Sequence, residues 1–196
     1  MTNPDIIRAI QPIIYAFEKL SISYYISGSV ASSLYGIARS TMDVDIVANI
    51  AKDHVSSLCE MLEDKYYIDQ DMILDAIFRK ASFNLIHLDT MIKIDIFIYK
   101  DELHQRVAFR RKIKYFLEEN DQDTSFYFSS PEDLIINKLN WFKKSGEVSE
   151  RQWLDVLGII KVQGKILDKD YLKKWAAKLD LSDLLKKVFY EAGIHL

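Results

Sequence analysis

From residue 4 to residue 20, Ile6, Ile7, Ile10, Ile13, Ile14 and Phe17 recur at steps of three and four. That spacing lines one side of an α-helix with apolar groups. Asn3 stands where a cap accepts early backbone N–H groups, and Pro4 falls in the first turn, where its missing N–H costs little. The pattern then shortens. Tyr24–Ser27 predicts a strand, Gly28-Ser29 a tight turn, residues 30–35 a short helix and Asp43–Ala48 a second strand. Gly36 is placed to end the short helix as a left-handed cap. On the second strand Val44, Ile46 and Ala48 face opposite to Asp43 and Asp45, because side chains alternate across a strand.

Residues 52–64 predict a helix with Val55, Leu58, Leu62 and Cys59 inward, and residues 71–81 predict another. Residues 83–88 and 91–98 alternate on either side of Asp89-Thr90, as an antiparallel hairpin does. In the second run Ile92, Ile94, Ile96 and Ile98 form one face, while Lys93, Asp95 and Phe97 form the other. A helix over 101–109 follows, then strands over 112–117 and 125–128 joined by an acidic turn at 118–123. Ser130-Pro131-Glu132-Asp133 combines a cap, a first-turn proline and first-turn acids, which starts a helix. Beyond it only helical spacing remains, over about 131–145, 149–163, 168–179 and 181–192, with breaks at Ser145-Gly146 and Gln163-Gly164. The pattern predicts an α+β fold: a mixed sheet flanked by helices over residues 1–130, then an all-helical domain over 131–196.

Composition narrows the class. With 196 residues, 49% apolar and 28% charged, the chain matches an ordinary globular protein able to bury a core without staples. Cys59 is the sole cysteine, so no intrachain disulfide forms, as suits a reducing compartment. It reads as a small core residue. The first residues lack the basic start and unbroken apolar run of a secretion signal, and no stretch has the length of a membrane span. We therefore expect a cytoplasmic protein with no membrane partner. The net charge of −3 excludes a surface coated for nucleic acid. One basic run stands out: Arg106, Arg110, Arg111, Lys112 and Lys114, with no acid among them. It is either a solvated helix end and strand or a landing strip for phosphate or RNA backbone.

The candidate chemistry lies between residues 24 and 49. Asp43 and Asp45 share one face of a strand, repel each other and need a counter-ion, most simply a divalent metal. Gly28-Ser29 opens a helix whose free N–H groups suit a phosphate. Asp95 adds a third acid on a strand otherwise built for burial, and three carboxylates on one surface can hold two Mg²⁺ ions. Lys138 falls inside the apolar stripe of Leu134, Ile135, Leu139, Trp141 and Phe142, and Asp155 falls among Trp153, Ile159 and Val162. A charged group on a buried side needs a partner. The two form a structural ion pair, or Lys138 is offered to a phosphate; the readings are compatible. His54, His87, His104 and His195 are scattered without metal-ligand spacing, and His87 is the one that could lie near Lys93 or Asp95.

These residues carry a resemblance. GSVASSLYGIARSTMDVDIV resembles the signature of the polymerase-β-like nucleotidyltransferases: Gly-Ser, about a dozen residues, Asp-x-Asp, and a later acid on a strand. The Arg-Ser-Thr-x-Asp-x-Asp form is more similar to the nucleotidyltransferase toxins of type IV toxin–antitoxin systems, whose pattern continues through KID at 93–95, DLIINK at 133–138 and RQWLDV at 151–156. Gln152 stands where that pattern tends to have an acid. The resemblance implies a nucleotidyltransferase core followed by a helical domain that closes the active-site cleft. It implies that Gly28 and Ser29 hold the triphosphate, and that Arg39 and Thr41 contact phosphate or set the loop. Asp43, Asp45 and Asp95 hold Mg²⁺ (two ions with NTP bound, or Mn²⁺), and Lys138 and Asp155 complete the nucleotide pocket. The implied reaction moves NMP from an NTP to an acceptor hydroxyl, such as a tRNA 3′ end, with an antitoxin as a further partner. A small-molecule nucleotidyltransferase of the antibiotic type, and a non-catalytic nucleotide-binding or toxin–antitoxin partner module, remain alternatives.

Overall fold

The computed structural model describes residues 4–116 and 125–196. The Asn3 cap, the strand end at Leu117 and the acidic turn at 118–123 lie outside the described residues. The chain divides into two compact units, one of residues up to 30 with 40–128, the other of 31–39 with 129–196. The two are described in turn.

The first unit is built on a seven-stranded sheet. In chain order its strands are β1 (Tyr24–Ser27), β2 (Asp43–Ala48), β3 (Tyr66–Tyr67), β4 (Ser82–His87), β5 (Lys93–Ile98), β6 (Ile113–Phe116) and β7 (Ser125–Phe128). They lie in the order β3-β4-β5-β2-β1-β7-β6. β2 runs parallel to β5, and β1 parallel to β7; the other neighbours are antiparallel. The sheet is therefore mixed, and the expected hairpin forms between β4 and β5. In β2 and β5 the alternation is complete: Val44, Ile46, Ala48, Ile94, Ile96 and Ile98 are buried, and the intervening residues are half-buried.

Helix α1 (Pro4–Lys19) buries Ile6, Ile10, Ile13, Ile14 and Phe17 and packs on the helix over Val55–Leu62, here α3 after the short α2 (Gly28–Tyr35). The Tyr66 hydroxyl donates to the Ala9 carbonyl at 2.9 Å, tying β3 to α1. Two-residue β3 is too short to show a period, which is why alternation alone missed it. α4 (Gln70–Arg79) is capped by the Asp69 carboxylate, which accepts from the Met72 N–H at 2.7 Å. α5 (Leu103–Arg111) starts two residues later than the spacing suggested. Cys59 is half-buried rather than inward, and burial pushes its thiol up, with Glu63, Asp69 and Glu60 adding to the effect. A shift in this direction disfavours the reactive thiolate.

Four helices, α6 (Pro131–Lys144), α7 (Glu150–Gln163), α8 (Lys169–Lys178) and α9 (Ser182–Glu191), make up most of the second unit, together with the end of α2. α6 starts where the sequence says it should: the Ser130 hydroxyl accepts from the Asp133 N–H at 3.2 Å. The acids of its first turn serve as staples. Asp133 is fully buried against Ser130 and Tyr171, and Glu132 accepts from the Asp168 N–H at 3.0 Å. Trp141 and Val162 turn outward, at 60% and 57% exposure, and so leave the apolar faces expected of them.

Gly36 departs from expectation in an informative way. It ends α2, but it is not among the positive-φ glycines. It is small for a packing reason. A Cβ there would lie 2.8 Å from the Ile159 nitrogen and 2.9 Å from the Gly158 carbonyl carbon, both backbone atoms of α7. The chain after α2 thus rests directly on the α7 backbone. Gly36→Ala forces these apart and is expected to cost about 2 kcal/mol in urea unfolding. Gly146→Ala, at φ 76 with open space around it, should cost only about 1 kcal/mol of backbone strain. A Gly36→Ala loss no larger than the Gly146→Ala loss would refute this close contact.

Candidate functional site

In the first unit the three predicted acids come together on one sheet face. The parallel register of β2 and β5 sets Asp45 opposite Asp95 and Asp43 opposite Lys93. β1 sets Ser27 opposite Asp45, and β4 sets Asn84 opposite Asp95. One row of the sheet therefore reads Ser27, Asp45, Asp95, Asn84 across four strands. Asp43 and Lys93 lie one pleat away on the same face, since side chains two residues apart along a strand share a side. Ser27 and Asn84 were not singled out from sequence. Asn84 was findable: a hairpin centred on Asp89-Thr90 places it across from Asp95.

The same register corrects the expectation for His87. Parity puts it on the buried face, away from Asp95. Its ring is 4% exposed, stacks against Tyr66 at 5.2 Å, and holds Thr90 through Nδ1 at 2.8 Å. Burial pushes its pKa down, against the pull of Asp89. It is a satisfied structural histidine.

No turn separates β1 from α2; the helix begins at Gly28 itself. Gly28 follows the residue paired with Asp45, so the Asp45 side chain folds over it. A Cβ on Gly28 would sit 1.7 Å from Asp45 Oδ2, and Gly28 has φ +60. Both facts require glycine at this position. Ser29 is buried in the first turn of the same helix. Thr41 is buried as well, and its hydroxyl donates to the Asp43 carbonyl at 3.1 Å and accepts from the Asp43 N–H at 3.3 Å. That bond sets the loop entering β2.

The charge of the acid face is answered from within. Lys93 Nζ lies 2.8 Å from Asp95 Oδ2, with the two side chains 44% and 23% exposed. The hydrogen bond to Asp95 holds the ammonium above its ordinary pKa, aided by the charges of Asp95, Asp43 and Asp45. Among the described residues no three His, Cys, Asp or Glu side chains stand gathered as a ready-made metal cage. The donor set nevertheless fits a hard divalent cation: three carboxylates on one face, with a positive group already drawn to one of them.

The remaining predicted residues lie in the second unit and form a cluster of their own. Asp155 is held in a fork by Arg39, whose Nε reaches Oδ1 at 2.9 Å and whose terminal nitrogen reaches Oδ2 at 3.1 Å. Lys138 Nζ reaches the same Oδ2 at 2.8 Å and Gln152 Oε1 at 2.9 Å. Gln152 thus accepts from Lys138 without adding charge to the cluster. Burial alone would raise the Asp155 carboxyl; the Arg39 hydrogen bond, with the charge and hydrogen bond of Lys138, outweighs it and holds the group below its ordinary value of 3.8.

The basic run does not form one evenly exposed strip. Lys112 is tucked in, its Nζ 2.8 Å from Ser23 Oγ, 3.2 Å from the Tyr24 carbonyl and 4.3 Å above the Tyr127 ring. Burial pushes its pKa down. Arg106 pairs with Asp101 at 3.2 Å, and Arg111 is half-buried. Arg110 and Lys114 are exposed.

Asp155→Asn leaves Lys138, 5% exposed, without its counter-ion. The expected loss is about 3 kcal/mol in urea unfolding at pH 7. The sign with pH follows from the depressed carboxyl. Its contribution is complete above 3.8 and is lost as pH falls through the lower folded value. The gap between wild type and variant should therefore shrink as pH falls through that window; a gap that is constant from pH 7 to pH 2.5 would contradict the pairing.

No family model matches the chain, and no curated protein matches it. Solved structures do. The fold is similar to an antigenic nucleotidyltransferase-like protein from Paracoccidioides brasiliensis, with TM-score 0.56 and 16% identity over 98% of this chain and 95% of that one. It is also similar to the antibiotic-resistance factor ANT(2'')-Ia, with TM-score 0.54 and 13% identity over 97% of this chain and 99% of that one. Identities this low speak to architecture alone. On that architecture, with a mixed seven-stranded sheet flanked by helices, the chain has a nucleotidyltransferase fold.

Proposed function

We propose that the protein is a metal-dependent nucleotidyltransferase that moves NMP from an NTP to an acceptor hydroxyl. The observation that carries this reading is the register that sets Asp45 beside Asp95, with Asp43 on the same face and the Asp45 carboxylate folded over Gly28 at the start of α2. This supports a reading in which a cation is held beside a phosphate at the helix start. A divalent cation, Mg²⁺ or Mn²⁺, held by Asp43, Asp45 and Asp95 would neutralise the triphosphate and acidify the acceptor hydroxyl.

The chain's own groups divide the remaining work. Gly28 and Ser29 offer backbone N–H groups to the triphosphate. Thr41 fixes the loop that presents Asp43. Asp95 accepts the proton of the acceptor hydroxyl as its oxygen bonds to the α-phosphorus and the bond to the β-phosphate oxygen breaks, releasing pyrophosphate. In the second unit Arg39 and Lys138, both held by Asp155, are the positive charges that the resemblance assigns to phosphate oxygens. Catalysis of this kind is positioning and electrostatics rather than covalent chemistry.

Two acceptor classes have separate support. The ordered motifs at 133–138 and 151–156 resemble the toxin group and point to an RNA 3′ end, with an antitoxin as regulator. The likeness to ANT(2'')-Ia, which has also been solved in complex with adenylyl-2''-tobramycin, points to a small alcohol. Of the basic run, Arg110 and Lys114 are exposed, and these are the two we assign to an RNA backbone.

Asp43→Asn and Asp45→Asn are each expected to lower NMP transfer at least about 100-fold, the scale of removing a metal ligand, while stability changes by no more than about 1 kcal/mol. Incubation with each labelled NTP, Mg²⁺ and total RNA reads the first, and urea unfolding the second. Transfer at the wild-type rate by both variants would sink the assignment. For the acceptor, neutralising Arg110 and Lys114 together should flatten the salt dependence of RNA binding by about 1.4 in slope. An unchanged slope, with label passing to a small alcohol, selects the second class.

A further inference from the structure

We propose that Lys93 is the resident counter-ion of the acid face and that it makes metal binding depend on nucleotide. The inference rests on the nucleotidyltransferase reading above. The acids lie side by side at half-exposed positions, and like charges so placed repel one another unless a cation intervenes. Lys93 is that cation. Its backbone N–H donates to the Met42 carbonyl at 3.3 Å, anchoring it next to Asp43, and its Nζ reaches Asp95 Oδ2 at 2.8 Å. It sits opposite Asp43 in the register, so its side chain shares the face of all three carboxylates.

A divalent cation needs the oxygen that Lys93 holds. In the free protein it competes with a tethered ammonium that never diffuses away. Lys93 is 44% exposed, so its flexible stem can carry the charge elsewhere without a burial cost. An arriving NTP changes the balance, because its triphosphate gives the displaced ammonium a new anionic partner. Metal and nucleotide then bind together, while metal alone binds weakly. The two events are coupled, and coupling of this kind is reciprocal.

Mn²⁺ binding, followed by electron paramagnetic resonance of the free ion, tests this without any turnover. Wild type, Lys93→Met, Lys93→Gln and Asp95→Asn are titrated with and without a non-hydrolysable NTP. Without nucleotide, both Lys93 variants should bind Mn²⁺ about three- to tenfold more tightly than wild type, the scale of a partly exposed charged contact. Nucleotide should tighten Mn²⁺ binding more in wild type than in either variant, and Asp95→Asn should bind weakly throughout. If the Lys93 variants bind Mn²⁺ no more tightly than wild type, the counter-ion role is wrong and the enzyme assignment stands. If no protein binds Mn²⁺ even with nucleotide, both fall.

Discussion

Everything proposed for the first unit depends on one constraint: like charges are held side by side by strands whose other face cannot let go. Val44, Ile46 and Ala48 on β2 and Ile94, Ile96 and Ile98 on β5 are all buried. A slip of one residue would turn these into solvent and the acids into the core. Burying one such branched side chain stabilises by about 2 kcal/mol, whereas two unit charges 4 Å apart in water interact by about 1 kcal/mol. Packing therefore wins, and the sheet can afford to present Asp43, Asp45 and Asp95 together. The residual repulsion is what draws Lys93 onto Asp95 and what would draw in a metal.

The second unit treats its acids in the opposite way. Asp133, Glu132 and Asp155 are buried, and each has a named partner: a hydroxyl, a helix N–H, or a pair of cations. Buried carboxylates of this kind are structural in the absence of ligand, because an unpaired one would be costly. The DLIINK stretch thus divides in function. Asp133 locks the start of α6, and Lys138, five residues on, carries the charge that a phosphate could use.

Short-range rules made much of this visible from the sequence. Alternation gave the faces of β2 and β5, the Asp89-Thr90 turn gave the hairpin, and Ser130-Pro131 gave the start of α6. What stayed hidden depends on contacts between distant residues. Nothing local says that β7 joins β1, that Gly36 must be small for the backbone of α7, or that Arg39 meets Asp155 across 116 positions. His87 was misjudged because residue spacing was used where parity decides. Lys112 looked like a surface cation, yet aromatic rings from three separate elements enclose it.

The choice of cation at the two clusters follows from what each must do. Arg39 grips both oxygens of Asp155 with a planar fork, a geometry that is specific and slow to give up. It suits a pair that fixes the chain after α2 on α7. Lys93 meets Asp95 through a single ammonium at the end of four methylenes, which can turn to another anion by rotating its own stem. An arginine at position 93 would hold Asp95 through two bonds and keep a metal out; a neutral residue would leave the acids unanswered before substrate arrives. Lysine is the side chain that can neutralise the face and still yield it.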